Sequence, residues 1–397
     1  MNGVGNILGM LSGFIDLPNL FPLLGNTQFR VLCAVSSLSI VITAFVNCYA
    51  IAERDPTLEE DLKPEESILC MFKDIFRYVF RLPSQIAKVC IAQFMAWMGW
   101  FPFLFYSTTY IGGIYAEPYF RENPNMSDDE IDIIWERATR KGALALLIFA
   151  IIAFISSVVL PLIVTSPYKD SEAAKMSFTS ITPSTLGSYS RSTSKADWFS
   201  TVTSCWIVLM DTCSSMVSSM EIRSLTLRRA WIYSHILYTV CMWLTFVVNN
   251  ITLATILLGL VGVSWSVTQW APYALISAEI SKRHDVRRGL LQPGPGIEML
   301  ASGEDDLADK AGVVMGIHNV AISAPQVIAT IISSIIFKFL QKPRGYPGDE
   351  SVVWCLRFGG LCSILAACLT LRVDEVNLNL IPVVRNNRLV RSNSVSA

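Results

Sequence analysis

"QFMAWMGWFPFLFYSTTYIGGIY", residues 93 to 115, is the stretch whose reading decides the fold class. It carries no charged side chain, and a run of this length is enough to cross the hydrocarbon core of a bilayer. In that core the backbone must satisfy its own hydrogen bonds, so the stretch is expected to be a helix. On a helix Gln93, Trp97, Trp100, Leu104 and Ser107/Thr108 recur at steps of three or four and share one face. Tyr110 follows them, and Pro102 removes a backbone bond midway, which predicts a kink. Spacing alone leaves two readings open. The tryptophans are packing residues or interface anchors, or their ring faces and the neighbouring hydroxyls form a wall for a polar molecule with apolar C–H faces, such as a sugar.

The rest of the chain shares this character. Of 397 residues, 52% are hydrophobic and only 16% are charged, against about 25% charged in a soluble domain. The net charge of −1 argues against a nucleic-acid partner, which selects a basic surface. Ten cysteines lie scattered without a CxxC pair, as expected of small apolar packing residues rather than a disulfide or metal framework. No cleavable signal peptide is recognisable. The reading is an all-α integral membrane protein with about eight transmembrane helices, near 3–24, 30–52, 86–112, 142–166, 230–250, 252–280, 312–338 and 352–373. The first holds Asp16 and Pro18, and its glycines Gly5, Gly9 and Gly13 form a small-xxx-small stripe suited to close helix approach.

Segments 53–85, 167–229, 281–311 and 374–397 carry the bulk of the Lys and Arg, and the alternate loops carry few. By the positive-inside rule the first set is cytoplasmic, as are both termini. The sequon at Asn125 then lies in an outside loop and is a glycosylation candidate. Residues 200–220 are moderately apolar but hold Asp211 and many serines, and are placed on the cytoplasmic side. Residues 177–194 are Ser/Thr-rich and read as a flexible tract. The stretch 68–80 reads as an amphipathic helix lying under the membrane.

Enzyme signatures are absent. His235, His284 and His318 are far apart, with no metal-ligand spacing, and there is no nucleophile elbow or P-loop; no cofactor is expected. Polar residues inside apolar spans are costly and tend to mark a pathway. On the sixth span Trp265, Gln269 and Pro272/Tyr273 share a face, with Glu279 at the cytoplasmic end, either solvated or gating. On the seventh, Gly312, Gly316, Asn319, Ser323, Gln326 and Thr330 line up, and Pro325 suits a bend. Asn319 and Gln326 would bond either a substrate or a neighbouring helix.

"FMAWMGWFPFLFYSTTYIG", "GVSWSVTQWAPYALISAEIS" and "GVVMGIHNVAISAPQ" resemble the sucrose-transporter branch of the glycoside–pentoside–hexuronide:cation symporters, and fungal general alpha-glucoside permeases most of all. That branch belongs to the major facilitator superfamily. The resemblance covers most of residues 1–373 and implies a 12-helix fold of two six-helix halves built from inverted repeats. Laid over it, 1–52 matches two helices of the N-terminal half, 53–85 the central cytoplasmic loop and 86–373 a complete C-terminal half, with 374–397 a tail. The pattern's first four helices have no counterpart, and with them goes the carboxylate and arginine region that couples protons in that family. Thr109 and Gly113 stand where plant relatives carry charged residues. An incomplete gene model or shortened form is therefore expected.

The resemblance implies a secondary transporter that moves sucrose- or maltose-like disaccharides with a proton, in the plasma or vacuolar membrane. The runner-up is a non-transporting sugar sensor or regulatory fragment that associates with a full-length permease.

Overall fold

A computed structural model describes residues 2–50, 78–80, 82–123, 126–165, 222–287 and 311–375. The expected amphipathic helix (all but Tyr78–Phe80), the Ser/Thr-rich tract, the 200–220 segment, the sequon residue Asn125 and the tail beyond Glu375 lie outside them. The described chain is helical throughout, apart from two short strands. Helix α1 is Asn2–Phe14, α2 Leu17–Leu20 and α3 Gln28–Ala50; then come α4 Ser84–Glu122 and α5 Asp128–Ile163. Strands β1 (Val164–Thr165) and β2 (Ile222–Thr226) pair in parallel and lead into α6, Leu227–Leu244. The remainder is α7 Ile251–Arg287, α8 Ala311–Ser323, α9 Pro325–Leu340 and α10 Ser351–Thr370.

Among the described residues six helices are long and apolar enough to cross a membrane: α3, α4, α5, α7, α8 with α9, and α10. The chain is thus an all-α, multi-pass membrane protein. Two of the eight expected spans differ. The region 3–24 is not one helix: α1 stops after thirteen residues, because Pro18 and Pro22 cannot extend the hydrogen-bond ladder. Gln28 bridges the break, donating to the Ser12 and Ile15 carbonyls and accepting from the Leu17 amide. Helix α6 has 18 residues, about 27 Å, and buries one face, with Trp231, His235, Tyr238 and Met242 inside and Tyr233, Ile236 and Val240 exposed.

Helix α4 is the hub, packing against α5, α7, α8, α9 and α10. Helix α10 also lies along α6, and α7 lies along α5 and α6. The closest crossing is between α4 and α10. A Cβ on Gly99 would stand 2.5 Å from the Gly359 carbonyl oxygen, and one on Gly359 would stand 2.7 Å from that of Gly99. Tyr238 of α6 seals this crossing by donating to the Gly99 carbonyl at 2.8 Å. Helix α1 packs on α5 through Gly3, Ile7 and Met10, with Gly3 against Phe154. The stripe expected to do this is rotated away: Gly5 and Gly9 meet nothing, and only Gly13 nears α5, at Ala143.

At the end of the bundle where α4 and α6 begin, the chain after α10 is gripped from two sides. Gln85 exchanges a pair of hydrogen bonds with the Asp374 backbone, and Lys88 pairs with the Asp374 carboxylate at 2.7 Å. Glu375 accepts from Thr226 and pairs with Arg228 at 2.9 Å. At the opposite end Glu117 of α4 accepts from the Gly348 amide, and Arg344 pairs with Asp132 of α5. Helices α4 and α5 run past the expected spans at this end, and α5 starts on a reciprocal Ser127–Glu130 cap.

The expected kink at Pro102 does not interrupt α4, which is continuous through Pro102 and Pro118. At Pro325 the ladder loses a rung: α8 ends at Ser323 and α9 begins at Pro325, while Ala324 between them keeps helical backbone angles (φ −58°, ψ −38°). Neighbouring helices enclose α4 on most sides, whereas α8 and α9 are held from one side only.

Candidate functional site

The sequence-predicted residues divide into a packed layer and an open one. Trp100 is 2% exposed, with Tyr238 at 4.4 Å and Trp265 edge-on at 5.0 Å between ring centroids. Phe103 and Phe149 complete this aromatic cluster. Trp97, one turn earlier on α4, is half-buried and meets Trp265 edge-on at 5.8 Å and Phe101 at 5.5 Å. The structure therefore joins the opening stretch to the sixth expected span through Trp97, Trp100 and Trp265, at spacings typical of favourable aromatic pairs.

Polar groups sit around these rings. Gln93 is fully buried, and neither atom of its amide has a hydrogen-bond partner among the described residues. The same holds for the Trp97 indole N–H and the buried Tyr110 hydroxyl. Ser107 is buried and donates to its own helix, at the Phe103 carbonyl. Thr108 is half-buried where α4 meets α5 at Gly142. Gln269 is half-buried, one turn beyond Trp265. Orphaned amide, indole and hydroxyl groups are expensive in an apolar interior, and these atoms are closed off from solvent.

Asn319 and Gln326 are exposed, within a continuous stripe of Gly312, Gly316, Asn319, Ser323, Gln326 and Thr330 that runs past Pro325. Ser323 and Thr330 donate to carbonyls of their own turns, leaving the Asn319 and Gln326 amides as the reaching groups. Glu279 is ion-paired with Arg283 at 2.8 Å, both side chains 12% exposed. Three residues escaped the spacing analysis. Tyr238 sits on a short helix whose polar and apolar residues follow no clear face. Phe149 is one of many apolar residues on α5. His318 was weighed only for metal-ligand spacing, yet it is fully buried and stacks edge-on to Tyr273 at 4.7 Å.

No protein-family model matches the chain. The general alpha-glucoside permease of Schizosaccharomyces pombe is 32% identical over 386 residues, which is 92% of this chain and 64% of that protein. An MFS-type transporter of Talaromyces islandicus is 31% identical over 38% of this chain and 54% of its own length. A sucrose transport protein of Oryza sativa subsp. indica is 29% identical over 40% of this chain and 30% of its own length. The chain spans less than two thirds of the length of each of these relatives, all named as transporters and none as an enzyme. With six membrane-length helices among its described residues and a permease matched along nine-tenths of its sequence, the chain is similar to the alpha-glucoside and sucrose permeases of the major facilitator superfamily.

Proposed function

We propose that the chain carries the sugar-facing half of a secondary transporter for alpha-glucosides of the sucrose and maltose type, working by proton symport. The observation that carries this reading is the likeness to an alpha-glucoside permease along 92% of the chain. Residues 86–373 form the translocating body, 1–52 a partial first half joined through 53–85, and both termini including the tail 374–397 face the cytoplasm of a plasma or vacuolar membrane.

Trp97 and Trp265 supply ring faces to the sugar, and Thr108, Gln269, Asn319 and Gln326 supply hydrogen bonds. Gln93, Trp100, Ser107 and Tyr110 form the layer behind, and the Glu279–Arg283 pair gates the cytoplasmic end. Uptake of labelled sucrose or maltose in a transport-deficient yeast tests the reading. Trp97→Ala and Trp265→Ala should each cut uptake by about fivefold to a hundredfold, the range expected if a sugar ring stacks as well as a nucleobase does on an aromatic side chain, worth about 1–3 kcal/mol; unchanged uptake sinks the site. The second reading, a sensor or regulatory fragment paired with a full-length permease, draws on the bare flanks of α3, whose span is only 6% buried. Co-purification with an intact permease, without uptake by this chain alone, would favour it.

A further inference from the structure

A sugar bound for Trp97 and Trp265 has first to be drawn from dilute solution to the end of the bundle where α4 finishes and α5 starts. We propose that Tyr115 and Tyr119, with Arg137 and Glu122 beside them, form a capture platform there, which stacks a glucoside ring before it descends to Trp97. This rests on the transporter reading above, by which that end faces outside.

Helical register places the pair. Helix α4 runs unbroken from Ser84 to Glu122, and Trp97 and Tyr115 stand eighteen residues apart, which is five whole turns. Leu104, Thr108 and Tyr119 fall on the same face, at steps of seven and four. The strip is open along its length: Leu104 is 40% and Tyr119 38% exposed, and Thr108 and Tyr115 are half-buried. Height separates these rings from interface anchors. Lys88, held by Asp374, marks the opposite membrane boundary, and about 20 residues from there cross the hydrocarbon, ending near Thr108. Tyr119 stands about 16 Å beyond that level, among the charged Glu117, Arg121 and Glu122. An anchoring tyrosine sits among the lipid headgroups; Tyr119 stands above them.

The chemistry selects the ligand. The two rings lie 5.5 Å apart between centroids, tilted by 42°, and each carries a polar tip on an apolar body. Their hydroxyls are 3.5 Å apart, too far for either to be occupied by the other. Tyr115 is seated on the Phe120–Ile131 cluster that joins α4 to α5, so the platform has a fixed floor. Arg137 of α5 and Glu122 are exposed and bear electrostatically on the Tyr119 hydroxyl. Neither makes an ion pair with another described residue. One cation and one anion beside two rings suit a neutral molecule with a C–H face and many hydroxyls better than they suit an ion. Binding of this kind serves capture rather than turnover: it lowers the KM for uptake and leaves the maximal rate to the helices below.

Saturation-transfer NMR of the full chain in lipid nanodiscs, with maltose as the probe, reads the platform in a Trp97→Ala background that weakens the lower site. The maltose signal should survive in Trp97→Ala, fall about fivefold or more when Tyr119→Ala is added, and largely persist with Tyr119→Phe, which keeps the ring. Arg137→Ala, at an exposed position, should lower it independently of tyrosine packing. Mannitol, which has hydroxyls but no ring face, should give no signal. A maltose signal that Tyr119→Ala leaves unchanged, no signal in Trp97→Ala, or an equal signal from mannitol overturns the proposal. In transport-deficient yeast Tyr119→Ala should raise the KM for maltose about fivefold at an unchanged maximal rate. Uptake with the native KM in Tyr119→Ala removes the platform and leaves the transporter. A platform signal in nanodiscs without uptake by any form keeps the platform and removes the transporter.

Discussion

A methyl group added to Gly99 has nowhere to go, because a backbone oxygen of α10 occupies its place at 2.5 Å. Overpacking of this kind forces the helices apart, at about 1–3 kcal/mol. Gly99→Ala should therefore lower the unfolding midpoint in detergent, while Gly113→Ala, where a Cβ meets nothing within 4 Å and alanine is the better helix former, should hold or raise it. The two tryptophans of α4 predict a second contrast. Trp100→Ala empties the centre of the aromatic cluster and should destabilise by about 3–5 kcal/mol. Trp97→Ala should cost far less stability, its effect appearing in sugar uptake instead. The sequence shows both indoles on one face, and that part is correct. It does not show that Tyr238 and Trp265 close over one of them, because burial is decided by where α6 and α7 dock, and periodicity within α4 carries no information about that.

Helix boundaries were legible where local chemistry sets them and illegible where packing does. Pro325 costs its helix a rung of the ladder, as its chemistry suggests, whereas α4 runs on through Pro102 among five neighbouring helices. The start of α5 was missed for a different reason. Hydropathy marks the part that crosses the membrane, from about residue 142, whereas the helix begins fourteen residues earlier on the Ser127–Glu130 cap. That cap predicts a pH effect. Hydrogen bonds from the Ser127 amide and hydroxyl hold the Glu130 carboxyl below the usual carboxylate range. Its contribution is complete above that ordinary range and is lost as pH falls through the lowered value. Hydrogen exchange across the first turn of α5 should rise on that acidification in the native chain. In Glu130→Gln, whose amide still accepts from Ser127 but does not titrate, it should stay level.

The molecule as a whole is a bundle about α4, with α1 laid on α5 and α3 standing almost clear. The helical membrane setting follows from composition and spans, whereas the loss of a span at 3–24 follows from prolines whose effect depends on Gln28 catching the broken ends, and the central place of α4 follows from how the other helices dock on it. One small feature has reach beyond its size. Strands β1 and β2 run side by side, with Thr165 donating to the Ile222 carbonyl at 3.0 Å, so segment 166–221 leaves and re-enters the body at neighbouring points about 5 Å apart. Domains commonly have their own termini close together, so this doorway is the chain's natural insertion port. A fluorescent or affinity module spliced there would report on the bundle without prying any of its helices apart.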